Sequence, residues 1–405
     1  MSGPLHGYRV LELTSTVSGP YAGMVLADQG ADVIKVEPPG IGDLGRFMGS
    51  TRNGMAGMFC VLNKNKRFLA LDLKEKDELN TFYDLVKSCD VLIENYRPGV
   101  VKKMKINYEK LQEYNSEIIY LSLTGYGQTG PYKNRRVYDP LIQATVGSAA
   151  AQNSKKPEFF RSVIFDKVSG LTSAQAITAA LLQKAQTGKG QYISISMLDS
   201  ALYYLWPDVW WSRVWLEEGS HHSGELADYF PIFTAKDKPI IVALVADPHF
   251  EVFCESINSS LHKDVKFSTF AERLANQKEL VNEVNLALRN IKADTLCKNL
   301  DNLGIPVASV NQLDEVHLDE QIVSQNSIAE PVHPIAGKMR LPRPPAGFGI
   351  EGDFPRSHAL ELGHHCREIL SEINVNEDLI LKLEKREADA KKAMEDFQLS
   401  QIDKK

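Results

Sequence analysis

Asp166 stands between two unlike stretches. Before it runs Val163-Ile164-Phe165, short and apolar; after it comes Ser169-Gly170-Leu171-Thr172-Ser173-Ala174, rich in small residues. The pattern reads as a strand-like run meeting the start of a helix, with a lone acid at the junction. Aspartate is a strong helix N-cap, worth about 1 kcal/mol, and that role alone would account for it. The position also has chemical use. Free N–H groups and the helix dipole favour the ionised carboxylate, and a carboxylate partly shielded from water is a nucleophile toward an activated acyl group. The helix that follows carries Gly170, Ser173, Ala174, Ala176, Ala179 and Ala180, leaving room for another backbone to approach.

Other chemistry-bearing residues read as structural. The adjacent pairs His221-His222 and His364-His365 are not spaced as metal ligands, since neighbours on a helix point apart. Five scattered cysteines without a CxxC pair form neither a disulfide framework nor a zinc site, and no metal site is expected. Glu37 follows a strand as the ribose-binding acid of dinucleotide folds does, but the first loop, SGPYAG, is not GxGxxG, which argues against NAD. Asp199 reads as a helix cap. Tyr203, Tyr204, Trp206, Trp210, Trp211 and Trp215 read as core or dimer contact.

The elements that must position these residues alternate. YRVLEL, VIKVE, RFLALDL, DVLIENY, EIIYLSLTGYG and QYISISM read as short apolar strands, with helices between several of them. That alternation predicts an α/β fold with a parallel sheet covered on both faces. LDSALYYLWPDVWWSRVW reads as one long aromatic helix, EEGSHHSGELADY as a linker, FPIFTAKDKPIIVALVAD as a hairpin turning at KDK, and HPIAGKMRLPRPPAGF as extended. The predicted organisation is a large domain over 1–220, a small domain over 225–320, and a return to the large domain over 330–405. With 405 residues and 43% hydrophobic content the chain can bury a large core. A net charge of −6 supplies no general attraction for nucleic acid. No run reaches the roughly 20 apolar residues of a membrane span, nor does the N-terminus look like a signal peptide. The expectation is a cytoplasmic protein.

Taken together, RVLELTSTVSGPYAGMVLADQGADVIKVEPP, NKNKRFLALDL, DVLIENYRPGV, LTGYGQTGP, the FDKVSG segment and TGKGQYISISMLDSALYYL are identified by order and spacing as similar to the family III CoA-transferases, the CaiB/BaiF family, over nearly the full length. The resemblance implies a Rossmann-like large domain built from both chain ends, a small α+β middle domain, and two subunits threaded through each other in an interlinked homodimer. It implies that Asp166 is the catalytic nucleophile, passing through an aspartyl–acyl anhydride and an aspartyl-CoA thioester as CoA moves from an acyl-CoA to a free carboxylic acid. The backbone of Val17, Ser18 and Gly19 would hold the oxyanions. Several relatives carry Gln where Val17 stands, so no polar side-chain contact is expected from it. Some relatives also cover the site with a Gly-rich loop; the corresponding region here has only Gly219 and Gly224.

CoA and its thioesters would be substrates, with no tightly bound cofactor. The phosphates of CoA call for cations, and the resemblance points to Lys66 or Arg67, Asn95, Tyr96, Lys103 and Arg136, with Pro38 and Pro39 beside the adenine. Lys64, Arg97, Lys102, Lys133 and Arg135 stand in the same basic segments, all of which could equally be solvated loops. Racemases of the same fold carry a His where Tyr138 stands. An ordinary phenol, with a pKa near 10, is a poor proton-transfer group at neutrality, which favours transfer over racemisation; Tyr138 could also be an ordinary buried tyrosine. An acyl-CoA racemase or isomerase and a non-catalytic CoA-ester-binding protein remain as alternatives. The acceptor expected is a carboxylic acid, and a dicarboxylate if an arginine faces the acyl pocket.

Overall fold

The computed structural model describes residues 3–153, 155–219, 225–349, 352 and 354–402, with side chains described to 392. His221, His222 and Gly224 lie outside the described residues. By contacts the chain divides into two compact units, Met1–Tyr204 with Asn326–Lys405, and Leu205–Gln325.

The first unit is built on six parallel strands: β1 (Arg9–Leu13), β2 (Asp32–Glu37), β3 (Lys66–Ala70), β4 (Val91–Glu94), β5 (Ile119–Thr124) and β6 (Gln191–Ser196). Their spatial order is β3-β2-β1-β4-β5-β6, a doubly wound sheet. Helices α1 (Ser18–Asp28), α2 (Lys76–Lys87), α3 (Asp139–Thr145), α4 (Ile164–Thr187) and α5 (Met197–Leu205) belong to the same unit, α5 ending at its boundary. One core face packs Leu11, Ile34, Leu69, Phe82 and Leu92, and the other packs Val10, Val33, Ile93, Ile119 and Ile177. The apolar strands therefore bury side chains on both faces, as a parallel sheet requires.

The second unit holds a three-stranded antiparallel sheet: β7 (Ile232–Thr234), β8 (Pro239–Val242) and β9 (Val307–Ser309), with β8 central. Helices α6 (Asp247–Ser256), α7 (Gln277–Leu288) and α8 (Ala293–Asn302) contribute Phe253, Val284 and Leu296 to its core. The stretch expected to be extended contributes to two short antiparallel pairs, Val332–His333 with Gly337–Lys338 and Ile328–Ala329 with Leu341–Pro342.

The return segment, α9 (Cys366–Glu372) and α10 (Glu377–Ile402), closes the first unit. Glu372 pairs with Arg9 on β1 at 2.7 Å and with Arg67 on β3 at 2.6 Å. His365 completes the edge of β3: Phe68 N–H donates to its Nδ1, and its own N–H donates to Phe68 O, both at 3.0 Å. His364 and His365 precede α9 rather than lying on it, and their rings touch edge-on at 4.9 Å instead of pointing apart.

Two expected elements are corrected. The long aromatic helix stops at Leu205, before Pro207, and resumes only as a short 3-10 turn, Trp211–Arg213. Proline inside a helix removes a hydrogen bond and clashes with the preceding turn. Its aromatic residues do not form a core: Tyr203 is 88% and Trp215 72% exposed in the single chain. Nor does Asp199 cap α5. Ser196 is the capping residue, accepting from Asp199 N–H at 2.9 Å and donating to Asp199 Oδ2 at 2.5 Å.

The small residues of α4 do what their size suggests. A Cβ on Gly170 would lie 2.7 Å from Ser18 O and 2.9 Å from Tyr21 Cβ, both on α1. Ser169 and Ser173 are buried, and each hydroxyl donates to the carbonyl one turn back, at 2.6 and 2.7 Å. Gly170→Ala is expected to destabilise by about 1–3 kcal/mol through overpacking, read as a lower urea midpoint at unchanged slope. An unchanged midpoint would mean that the two helices have room to spare.

Candidate functional site

In a sheet ordered this way, the loops leaving β1 and β4 diverge and open a crevice at the carboxyl ends of the strands. A cleft of about 390 Å³ lies there. Ser15, Thr16 and Ser18 reach it after β1, Asn95 to Pro98 after β4, Thr124 to Tyr126 after β5, and Met197 after β6. Asp166 lies in the same cleft, with Tyr138 and the cations Arg97, Lys133, Arg135 and Arg136. Arg135 stacks on the Tyr132 ring at 3.6 Å.

Asp166 is not the helix cap. The helix begins two residues earlier, at Ile164, and its N-cap residue Val163 has no capping side chain. Its apolar run is thus the first turn of a helix rather than a strand. The cap comes from Asp139, at the start of α3 and fully buried. Asp139 Oδ2 accepts from Phe165 N–H at 2.6 Å and from Asp166 N–H at 3.1 Å, while its Oδ1 accepts from Gln143 at 2.5 Å. With the helix terminus served by another carboxylate, the Asp166 side chain is released to the cleft.

The same arrangement reverses the charge expectation. The Asp166 carboxyl is pushed up to about 7, first by burial and second by the neighbouring Asp139 charge; the Ser18 hydroxyl and Lys167 favour ionisation but do not outweigh these. The dipole argument fails because burial, and then the like charge of the capping carboxylate, outweigh it.

Of the residues expected at the site, Ser18, Asn95, Tyr96, Arg136, Tyr138 and Asp166 are brought together. Tyr138 is 67% exposed, so it is not a buried core tyrosine. Asn95 has its amide engaged: it accepts from Ser15 N–H and donates to Ser15 O, both at 3.0 Å. Val17 is buried as the N-cap residue of α1, and Gly19 packs where a Cβ would lie 2.3 Å from Thr14 Cβ. Neither lines the cleft surface.

Lys66, Arg67, Lys103 and Pro38 are not brought to it, and Pro39 does not line it either. Lys66 is fully buried, with Nζ 2.7 Å from Glu12 Oε2 and donating to Pro20 O and Asn63 Oδ1. Burial presses its pKa down to about 8 against the pull of Glu12. Arg67 is held by Asp32, Glu368 and Glu372. Lys103 is exposed on a short helix, Val100–Lys103. In the single chain Lys66 and Arg67 are thus engaged by carboxylates of the fold, while Lys103 faces solvent. Glu37 is buried and gripped by Arg46 at 2.6 and 2.8 Å, which leaves it unable to hold a ribose. The residue that sequence reasoning missed is Asp139. Its only local signal is Asp-Pro at a helix start; nothing in the sequence reports that it serves another helix.

Among the described residues no helix is long and apolar enough to cross a membrane. One group of carboxylates and a histidine, Glu251, Glu255 and His262, is close enough to ligate a metal, with both glutamates exposed.

Comparison with known proteins gives the family and the fold. The chain is 34% identical to a succinyl-CoA:glutarate CoA-transferase of Mus musculus, over 91% of this chain and 86% of that one. It is 31% identical to an acetyl-CoA:oxalate CoA-transferase of Acetobacter aceti, over 80% of this chain and 85% of that one. Its fold matches the crystal structure of a CaiB/BaiF family protein from Brucella suis with a TM-score of 0.82 at 29% identity, covering 92% of this chain and all of that one. The description of CoA-transferase family III matches residues 5–365, and the chain belongs to that family and is a CoA-transferase.

Proposed function

We propose that Asp166 carries the transfer as a covalent nucleophile. The observation that supports this is its carboxyl, released from capping by Asp139 and set at the strand switch point among cations. A carboxylate oxygen of Asp166 attacks the donor thioester carbonyl, and the C–S bond breaks, expelling CoA thiolate. The thiolate attacks the aspartyl carbonyl of the resulting anhydride; the donor acid leaves and an aspartyl-CoA thioester remains. The acceptor carboxylate then attacks that thioester, and the same two steps run in reverse. Splitting the exchange in this way conserves the thioester energy. Each tetrahedral oxyanion needs donors; the start of α1, whose first turn has no capping side chain, supplies N–H groups beside Ser18.

The raised pKa serves the first attack, in which the Asp166 carboxylate is the nucleophile. A carboxyl whose ionised form is disfavoured is a stronger base, and so a stronger nucleophile once ionised, than one held at its usual value. The substrates we infer are CoA esters and acids of the dicarboxylate class. The relatives named for succinyl-CoA with glutarate, and for oxalate, support this, as do four cations lining one cleft, more than a monocarboxylate would need. CoA phosphates take some of them and a second carboxylate another.

We further infer a homodimer with interlinked subunits in a reducing, cytoplasmic compartment. The first unit's interruption by the second, and exposed Leu182, Tyr203 and Tyr204, support the dimer; five free cysteines support the compartment.

Asp166→Ala and Asp166→Asn are expected to lose more than about a hundredfold in transfer. Wild-type protein incubated with succinyl-CoA should gain the mass of CoA less water on the peptide holding Asp166. Exchange of an α-proton with heavy water, without any second acid, would sink this reading and favour a racemase.

The first half-reaction should rise about tenfold per pH unit from pH 5 to 6.5 and level off above about 7.5, as the carboxylate ionises. Stability should run the other way. The unfolded carboxyl titrates near 4 and the folded one near 7, so stability from this group is complete below the first value and lost as pH rises through the second. Asp166→Asn should therefore melt above wild type at pH 8, by a margin that closes toward pH 4. A flat difference across that range would contradict the raised pKa.

A dilution series followed by light scattering should show a dimer down to the lowest measurable concentration. Dissociation to folded monomer would rule out interlinking.

A further inference from the structure

The loop between β1 and α1 is held by side chains from three other segments. Lys35, fully buried on β2, donates from Nζ to Thr14 O at 2.8 Å and to Glu12 Oε1 at 2.9 Å. Asn95, after β4, holds both backbone groups of Ser15. Asp43 Oδ1 accepts from Thr16 N–H and from Gly45 N–H, each at 2.8 Å, and its Oδ2 lies 2.9 Å from Lys35 Nζ, an ion contact. Asp43 is 2% exposed and does not line the cleft.

The clamped residue is strained. Thr16 has φ 74°, in the left-handed region. A β-branched residue there costs about 1–3 kcal/mol and persists only where its surroundings over-determine it. Two residues later comes Ser18, which shares the cleft with Asp166 and whose hydroxyl favours its ionised form, and with it the start of α1. The direction in which α1 begins is thus set by the conformation of Thr16.

We propose that Asp43, braced by Lys35, is a positioning residue for CoA transfer: it holds Thr16 in its left-handed conformation so that Ser18 and the first N–H groups of α1 face the Asp166 carboxyl. This rests on Asp166 being the nucleophile. Only a carboxylate serves the position, because one oxygen must accept from two N–H groups while the other faces an ammonium. An amide has a single oxygen and would turn its NH₂ toward donors on one side or the other.

The test is Asp43→Asn, a near-isosteric change, assayed with succinyl-CoA and glutarate. The kcat is expected to fall roughly 30-fold with the KM for the CoA ester changed less than about threefold, because the loop acts on the reacting centre more than on the bound nucleotide. Thr16→Gly in the Asp43→Asn background should recover about tenfold in kcat, since glycine occupies positive φ without needing the clamp. If Asp43 merely stabilised the fold, the second substitution would raise the melting temperature without restoring kcat. Should Asp43→Asn fail to accumulate folded, Asn95→Ala, which removes the neighbouring bonds to Ser15, carries the same expectation of kcat loss, with a rise in KM added because Asn95 itself lines the cleft. Aspartyl-CoA formation, followed by mass, separates the two levels. If wild type forms no adduct on Asp166, the nucleophile reading falls. If wild type forms it and the Asp43→Asn or Asn95→Ala protein forms it equally fast, or if Thr16→Gly restores nothing, the positioning role of the clamp is overturned.

Discussion

Two hydrogen bonds, from the N–H groups of Phe165 and Asp166 to the buried carboxylate of Asp139, decide what the site can be. A helix N-terminus demands acceptors, and an aspartate at its third residue would ordinarily be drawn into that service. Because another carboxylate answers the demand, the side chain of Asp166 turns outward. The arrangement also sets one carboxylate against another in a partly dry place, and the outer one gives up its proton reluctantly. One interaction thus supplies both the orientation of the acid and its basicity.

The sheet adds a second constraint beneath the first. A parallel sheet covered on both faces offers no water to its central residues, yet Glu12, Lys35 and Lys66 lie in its strands and Asp43 in the loop after β2, all nearly or wholly unexposed. Glu12 stands between two ammonium groups, 2.9 Å from Lys35 and 2.7 Å from Lys66. Burial pushes its carboxyl up, and the two lysines together overcome that and hold it low. Isolated, any of these charges would cost several kcal/mol; as an alternating chain they satisfy one another and the carbonyls of Thr14 and Pro20. Gly23 makes room for them, since a Cβ there would fall 1.9 Å from Glu12 Oε2. Fixed charges below the first loop are a reason for that loop to have a single conformation.

What the sequence made legible follows the range of the forces involved. Strand positions are legible because burial on both faces writes an apolar run into β1 to β6, and the small face of α4 because close approach excludes side chains locally. The cleft at the switch point follows from strand order, and Ser18, Asn95 and Arg136 from motif position. The misreadings are of two kinds, partners distant in sequence and one local breaker. Lys66 and Arg67 look like any exposed basic pair in a loop-to-strand segment, because their partners Glu12, Asp32 and Glu372 are distant in sequence. Asp166 looks like a cap because the true cap lies 27 positions away. The aromatic stretch after Met197 follows helical spacing up to Pro207, and one proline outweighs the remaining pattern.

The closing of the β3 edge by His365 has a consequence for how the chain is made. Phe68 waits for a partner 297 residues further on. At ribosomal rates of about 5–20 residues per second, that is a delay of roughly 15–60 s. Throughout it, the nascent sheet displays an unpaired edge, and the apolar face that later receives Cys366, Ile369 and Leu370 stays uncovered. The whole second unit is synthesised in that interval. An open edge beside bare apolar surface is a template for pairing with another chain. Productive synthesis therefore favours a chaperone, or slow crowding-free growth, over crowded polysomes, and a truncation that removes His365 and everything after it would leave a sheet with a permanently adhesive border.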